Sequence, residues 1–232
     1  MKSLQSVPAI RGEAPMHRGA VGRRAFAGRI YRWGGVVALG AALLLPACTI
    51  LPKAEPLDVY LLPATAPVSA SATQAAPWSL RIARPAAGVH LSGQRIVVVP
   101  EDNRVSVYTG AGWSDPAPVL VRNRLLDAFR ADGRVAGLSS DDKQLQADFE
   151  LDSDLRAFQS EYRDGRAEAV LRLDARLVHT ATRRIVASRS FALRAPATDT
   201  AVPGVVQAFG AAADRLAAEV VEWTVREGSA AK

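Results

Sequence analysis

Hydrophobic and polar positions change period along the chain, and each change marks an element. Phe149, Leu151, Ser153, Leu155 and Ala157 alternate with Glu150, Asp152, Asp154 and Arg156, the pattern of a strand with one buried and one wet face. Ala169, Leu171, Leu173, Ala175 and Leu177 alternate in the same way with Arg172, Asp174 and Arg176. These two runs, joined by a turn at Asp164-Gly165-Arg166, predict one hairpin. Pairing must bring core faces together, and opposite charges meet when Leu155 faces Ala175, Asp154 faces Arg176 and Arg156 faces Asp174. The neighbouring register pairs Leu155 with Leu173 and sets Asp154 against Asp174. The turn residues Asp164-Gly165-Arg166 and the charge argument both select the first. A third strand, residues 184–193, continues the meander.

Other segments follow the same logic. Residues 57–62, 78–84, 95–100 and 104–108 read as strands, the last two joined by a turn at Glu101-Asp102-Asn103. From Asp115 the period becomes helical. Asp115 is expected at the N-cap, Pro116 at the first helical position, and Val121, Leu125, Ala128 and Phe129 on one apolar face that ends near Asp132-Gly133. A longer helix is predicted from Thr200–Pro203 to Arg226, with Val202, Val205, Val206, Phe209, Ala213, Leu216, Val220 and Trp223 facing inward and Gly228 ending it. Strands and helices do not alternate regularly, so the expected fold is α+β: a twisted, largely antiparallel sheet with two main helices packed on one face.

The N-terminal pattern differs. An uncharged run, residues 34–45, follows Arg23, Arg24, Arg29 and Arg32 and leads into Leu45-Pro46-Ala47-Cys48, which holds the chain's one cysteine. The run is shorter than the ~20 apolar residues a spanning helix needs, so it reads as a secretory leader. The four residues resemble a bacterial lipobox, although Pro46 stands where a small or hydroxylated residue is usual. In that reading the Cys48 thiol is alkylated with diacylglycerol, the chain is cut before it, and the new amino terminus is acylated. Arg23-Arg24-Ala25-Phe26 resembles a twin-arginine signal. The general secretory route is preferred, and both routes remain open, as does Met16 as the start. The expected organisation is a leader at residues 1–47, a lipid-anchored tether at 48–56, an α+β domain at 57–227 with a mobile loop at 63–77, and a flexible tail at 228–232.

This division changes what the charge means. The whole chain carries a formal +6, which by itself would suggest nucleic acid or an acidic surface. Residues 1–47 hold seven of the 29 bases and one of the 23 acids, so the mature chain keeps 22 of each. The basicity belongs to the leader. No nucleic-acid partner is expected. With no further cysteine, the domain must be stable without disulfides.

Candidate chemistry is sparse. Asp148, Glu150, Asp152 and Asp154 share one strand face and are the strongest candidates for acid/base or calcium chemistry, but the ordinary reading is a solvated face balanced by Arg172 and Arg176. The mature chain has two histidines, His90 and His179, and no Cys/His cluster with metal spacing. No catalytic residue, cofactor or metal is expected, and the chain is not expected to be an enzyme. Tyr108 and Trp113 are candidates for an interaction surface, weighed against a role in the core, as is Trp223.

Several stretches together resemble a known family: Val59-Tyr60-Leu61-Leu62-Pro63, Val105 to Pro116 with Trp113, the helix through Leu125-Leu126, residues 151–158, 169–178 and 185–191, and the terminal helix with Trp223. In order and spacing they are similar to the auxiliary lipoproteins of ABC-type transport systems, the family that includes the paraquat-inducible operon's lipoprotein C. Gly112 departs from it, since the family often shows arginine before the tryptophan. The resemblance implies a periplasmic, non-enzymatic lipoprotein that partners a mammalian-cell-entry-type substrate-binding protein and an ABC permease and ATPase in moving lipids and maintaining the outer membrane. Ring-like self-assembly is known among members, so a homo-oligomer is a further implied state. Thr49 stands where an inner-membrane retention signal would place Asp, which favours the outer membrane, with inner-membrane anchoring as the alternative. Two rivals remain: a lipoprotein adaptor of another envelope machine, such as a cell-wall synthase activator or secretion component, and a small periplasmic hydrolase using the acidic row.

Overall fold

Among the described residues the longest strand, Phe149–Arg163, is the seventh of nine in chain order (β7), and other strands pair along both of its edges. On one side it runs antiparallel to β8 (Arg166–His179), which runs antiparallel to β9 (Arg184–Pro196). This is the expected meander. On the other side three short strands follow one another along it, all parallel: β2 (Ser79–Ile82), β3 (Ala86–Ala87) and β4 (Arg95–Val99). From β4 the chain turns back antiparallel into β5 (Ser106–Trp113), whose far edge pairs parallel with β1 (Asp58–Tyr60). At the other end β2 pairs parallel with β6 (Gly137–Ser140). The computed structural model describes residues 56–64, 75–100 and 104–231. The expected leader, Cys48, residues 49–55 of the tether, loop residues 65–74 and the turn at 101–103 lie outside the described residues.

The α+β class holds, with the long pairings antiparallel. Five of the six short pairings are parallel, a relation between distant segments that no alternation within one strand can reveal. Helices α1 (Ala117–Asp132) and α2 (Val202–Ala230) pack on each other, and α2 covers the inner face of β8 and β9. One apolar core joins them to Phe149, Leu151, Leu155, Phe158, Leu171 and Leu173.

Helix ends depart slightly from expectation. The N-cap of α1 is Pro116, extended at φ −55° and ψ 143°, with no side-chain cap. Asp115, one residue earlier, instead accepts from Ser114 Oγ at 3.3 Å. Gly133 closes α1 at φ 75°, donating its N–H to the Phe129 carbonyl, as the Asp-Gly pair predicted. Helix α2 does not stop at Gly228. A Cβ there would sit 2.7 Å from Trp78 Cζ2, so this glycine makes room for a ring rather than ending a helix.

The hairpin register is a correction. Leu155 pairs with Leu173, Ser153 with Ala175 and Asp152 with Arg176, which sets Asp154 beside Asp174. Two local features decide this against charge matching. Asp164 (φ 52°) and Gly165 (φ 73°) both take the left-handed conformation, forming a two-residue turn that pairs Arg163 with Arg166. That turn aligns Phe158 with Leu171 and Ser160 with Ala169, so even-numbered residues of β7 face the core near the turn. Further along, odd-numbered residues do. A bulge at Arg156 absorbs the change of parity. The expected ion pairs form anyway, because arginine reaches diagonally: Arg176 to Asp154 at 2.8 Å and Arg156 to Asp174 at 3.7 Å.

Candidate interaction surface

Trp113 ends β5 and is 1% exposed. Its ring meets Phe158 at 5.6 Å and 67°, and Phe209 of α2 at 5.2 Å and 86°, while Phe158 and Phe209 stack at 4.8 Å. Edge-on aromatic contacts of this kind lock sheet to helix. Trp223 is buried too, edge-on to Phe191. Tyr108, earlier on β5, is half-buried. Its hydroxyl donates to Ser160 Oγ at 3.1 Å and lies 3.4 Å from the Tyr162 hydroxyl. Burial pushes the Tyr108 hydroxyl up to about 12; the Ser160 hydrogen bond works against this and Tyr162 adds to it. It therefore stays protonated at physiological pH and serves as a hydrogen-bonding group. The two aromatics singled out from the sequence thus differ in access: Tyr108 reaches the surface in part, and Trp113 lies beneath it.

Strand β5 reaches Trp113 through two glycines. Gly110, at φ 67°, sits where the β4–β5 register shifts. A Cβ on Gly112 would lie 3.0 Å from the Gln94 carbonyl and 3.4 Å from Leu57 Cδ2, so a bare backbone lets β1 and β4 close on either side of it. On β1, Tyr60 pairs with Trp113 and packs on the core with Leu62. Leu57, Val59 and Leu61 therefore point to the opposite face, and they are 49%, 60% and 74% exposed.

Arg124 of α1 holds the end of this segment. Its Nη2 donates to the carbonyls of Leu62 at 2.9 Å and Pro63 at 2.8 Å, and its Nη1 to Asp214 of α2. One guanidinium thereby ties the incoming chain to both helices. Nothing in the helical period singles out Arg124, because its partners lie 61, 62 and 90 residues away.

Each member of the acidic row has a partner, and three of the four are ion-paired. Asp148 accepts from the Ser79 N–H and Oγ, each at 2.8 Å, and Glu150 accepts from Arg81 Nε at 2.6 Å. Arg176 bridges Asp152 at 2.7 Å and Asp154 at 2.8 Å. Those two carboxylates, Asp152 first, raise the affinity of Arg176 for its proton. Arg172, expected as a partner of the row, pairs with Glu161 instead. Among the described residues no group of three or more His, Cys, Asp or Glu could hold a metal ion. His179 stands edge-on to Phe149 at 5.4 Å, with Nδ1 3.0 Å from Thr182 Oγ1, and His90 is exposed. Among the described residues no helix is long and apolar enough to cross a membrane.

A family model described as the ABC-type transport auxiliary lipoprotein component matches residues 60–221. A protein of Bradyrhizobium diazoefficiens, described as uncharacterized, is 34% identical over 148 residues, or 63% of this chain. The matched region spans 39% of the length of that relative. Among solved structures, a Xanthomonas campestris protein labelled with the family name DUF330 has 30% identity and a TM-score of 0.68, covering 73% of this chain and 95% of that one. Another, titled only as an uncharacterized protein, shares the fold at a TM-score of 0.56 and 19% identity, covering 72% of this chain and 98% of that one.

Proposed function

The chain belongs to the family of ABC-type transport auxiliary lipoprotein components, and from that premise we propose that it is a lipid-anchored periplasmic subunit of a mammalian-cell-entry-type lipid transport system that maintains the outer membrane. The observation that carries the reading is the extent of the family match, residues 60–221, which takes in every strand from β2 to β9, α1 and most of α2. Upstream of that domain, the proposal places a leader through Ala47, acylated Cys48 and a tether to residue 56. A tether of this kind confines a water-exposed domain to a membrane surface and raises its effective concentration for a membrane-bound partner. The domain then acts as an adaptor and not as an enzyme. The ion pairs of Glu150, Asp152 and Asp154 support this part of the reading.

Two measurements test it. Labelled palmitate should enter the expressed protein, and mass spectrometry should find Cys48 as the acylated first residue. Pull-down from solubilised membranes should recover a permease, an ATPase and a mammalian-cell-entry-type protein. Recovery of cell-wall synthases or secretion components in their place would overturn the assignment.

A further inference from the structure

Apolar exposure among the described residues is most frequent along two paired strands. Of the nine large apolar side chains exposed among the described residues, five (Leu57, Val59, Leu61, Val105 and Val107) lie on or beside β1 and β5. Over β7 and β8, the sheet face turned from the helices is instead laced by ion pairs, Arg81–Glu150, Arg176–Asp152, Arg176–Asp154 and Arg172–Glu161. The apolar end is also where the chain arrives. Leu57 lies nine positions after Cys48, so nine residue steps join them. At about 3.3–3.6 Å per residue they extend no further than about 30 Å. A globular domain of this size is about 40 Å across. A chain tied at Cys48 therefore cannot carry β1 to the far side of its own domain, and β1 stays within about 30 Å of the anchoring bilayer.

We infer that Val59 of β1 and Leu57 and Leu61 on either side of it dock on the lipid bilayer that holds Cys48, so that the domain rests on the membrane in one orientation. The inference rests on the lipoprotein reading above. A strip of three side chains is too small to bind a bilayer from solution, but the tether supplies the proximity and the strip supplies the orientation.

Once Cys48 is a thioether the mature chain has no free thiol, so a Val59→Cys variant gives one labelling site on an exposed side chain. An environment-sensitive fluorophore is attached there, and in a second variant at Ser188→Cys on β9. The acylated proteins are reconstituted in vesicles of phosphatidylethanolamine with a minority of phosphatidylglycerol. The label at position 59 should shift to the blue and be quenched by doxyl-labelled lipid, and the label at position 188 should do neither. Adding Leu57→Ser and Leu61→Ser should return the label at 59 to its aqueous spectrum. A fully aqueous label at 59 on protein whose acylation has been verified by mass would overturn the inference. So would a label shielded from water but untouched by doxyl lipid on protein that sediments as an oligomer, since the strip would then meet a second copy. If acylation itself fails, the same labelled domain held to nickel-chelating lipid by a histidine tag in place of the acyl chains still reports docking. Failure of the anchor and failure of the docking are thus read separately.

Discussion

Replacing Arg124 with methionine tests how the domain holds its first strand. The guanidinium and its partner Asp214 have side chains only 13% and 11% exposed, and the same guanidinium donates to the carbonyls of Leu62 and Pro63. Removing one member of a largely buried pair costs about 3–5 kcal/mol. Hydrogen bonds from a charged donor contribute about 1.5–3 kcal/mol each, but the released carbonyls lie at the edge of the fold and regain water. A global loss of about 3 kcal/mol is therefore expected, read from the urea midpoint at unchanged slope. The loss should be uneven. Strand β1 has three paired residues and one further bond, Ser114 N–H to the Tyr60 carbonyl at 2.9 Å, so once unclamped it should open locally. Amide exchange across residues 58–62 should accelerate about 100-fold, corresponding to about 2.7 kcal/mol, while α2 exchanges only through global unfolding. Arg124→Lys should recover part of the loss, because an ammonium keeps the charge but lacks the planar fork that serves three acceptors. A global loss below about 1 kcal/mol, with exchange in β1 unchanged, would refute the clamp.

Tyr108→Phe addresses alkaline stability. Because the folded state holds the Tyr108 proton up to about 12, above the ordinary tyrosine value near 10, it binds more protons than the unfolded chain between those values. The contribution is complete below about pH 10 and lost as pH rises towards about 12, so urea midpoints followed across this range should fall less steeply in the variant. An unchanged slope would place the perturbed phenol elsewhere. Gly228→Val forces a Cβ to 2.7 Å from Trp78 and should cost about 1–3 kcal/mol with a change in tryptophan emission. A neutral result would show that Trp78 can move aside. Asp152→Asn with Asp154→Asn removes half-exposed ion pairs worth at most about 1 kcal/mol each, so envelope-barrier complementation should persist. Its loss would point to chemistry in the acidic row.

Elements whose signal is local were legible in the sequence: the α1 face with its Asp-Gly stop, the α2 face and the β7–β8–β9 meander. The register failed for an instructive reason. Odd-numbered core positions through Leu155 give way to Phe158, Ser160 and Tyr162, and this change of parity marks the bulge within the sequence itself. A single even register forced through both halves satisfies charges that long arginines can satisfy diagonally. Turn geometry is stiffer than an arginine side chain, and it prevails. Strands β3 and β6 and the glycine-containing half of β5 carried no usable period. They are stabilised by parallel neighbours brought from distant sequence. The Arg124 clamp was unreadable for the same reason. The alternation of Leu57, Val59 and Leu61 was visible, but which face it offered depended on Tyr60 meeting Trp113.

The sheet treats two of its edges differently, and the contrast bears on function. Strand β9 is long, pairs only with β8, and would invite strand addition. It is guarded. A register shift opposite Leu177 and Val178 interrupts the ladder, and Arg189, paired with Ala175 on the core side, lies 4.7 Å over the Phe191 ring and 3.5 Å from Glu219 of α2. Bulges and inward-facing charges are the usual defences of an edge strand. Strand β1 is short and carries no bulge; Asp58 stands on its Tyr60 side, and Val59, flanked by Leu57 and Leu61, is aliphatic on the other. An edge defended against protein strands beside one left apolar at the start of the domain is what a module would need if its first strand met lipid while the rest of its sheet stayed in water. The same contrast predicts that charged substitutions on β9 leave the orientation of the domain on vesicles unchanged, whereas polar substitutions on β1 abolish it.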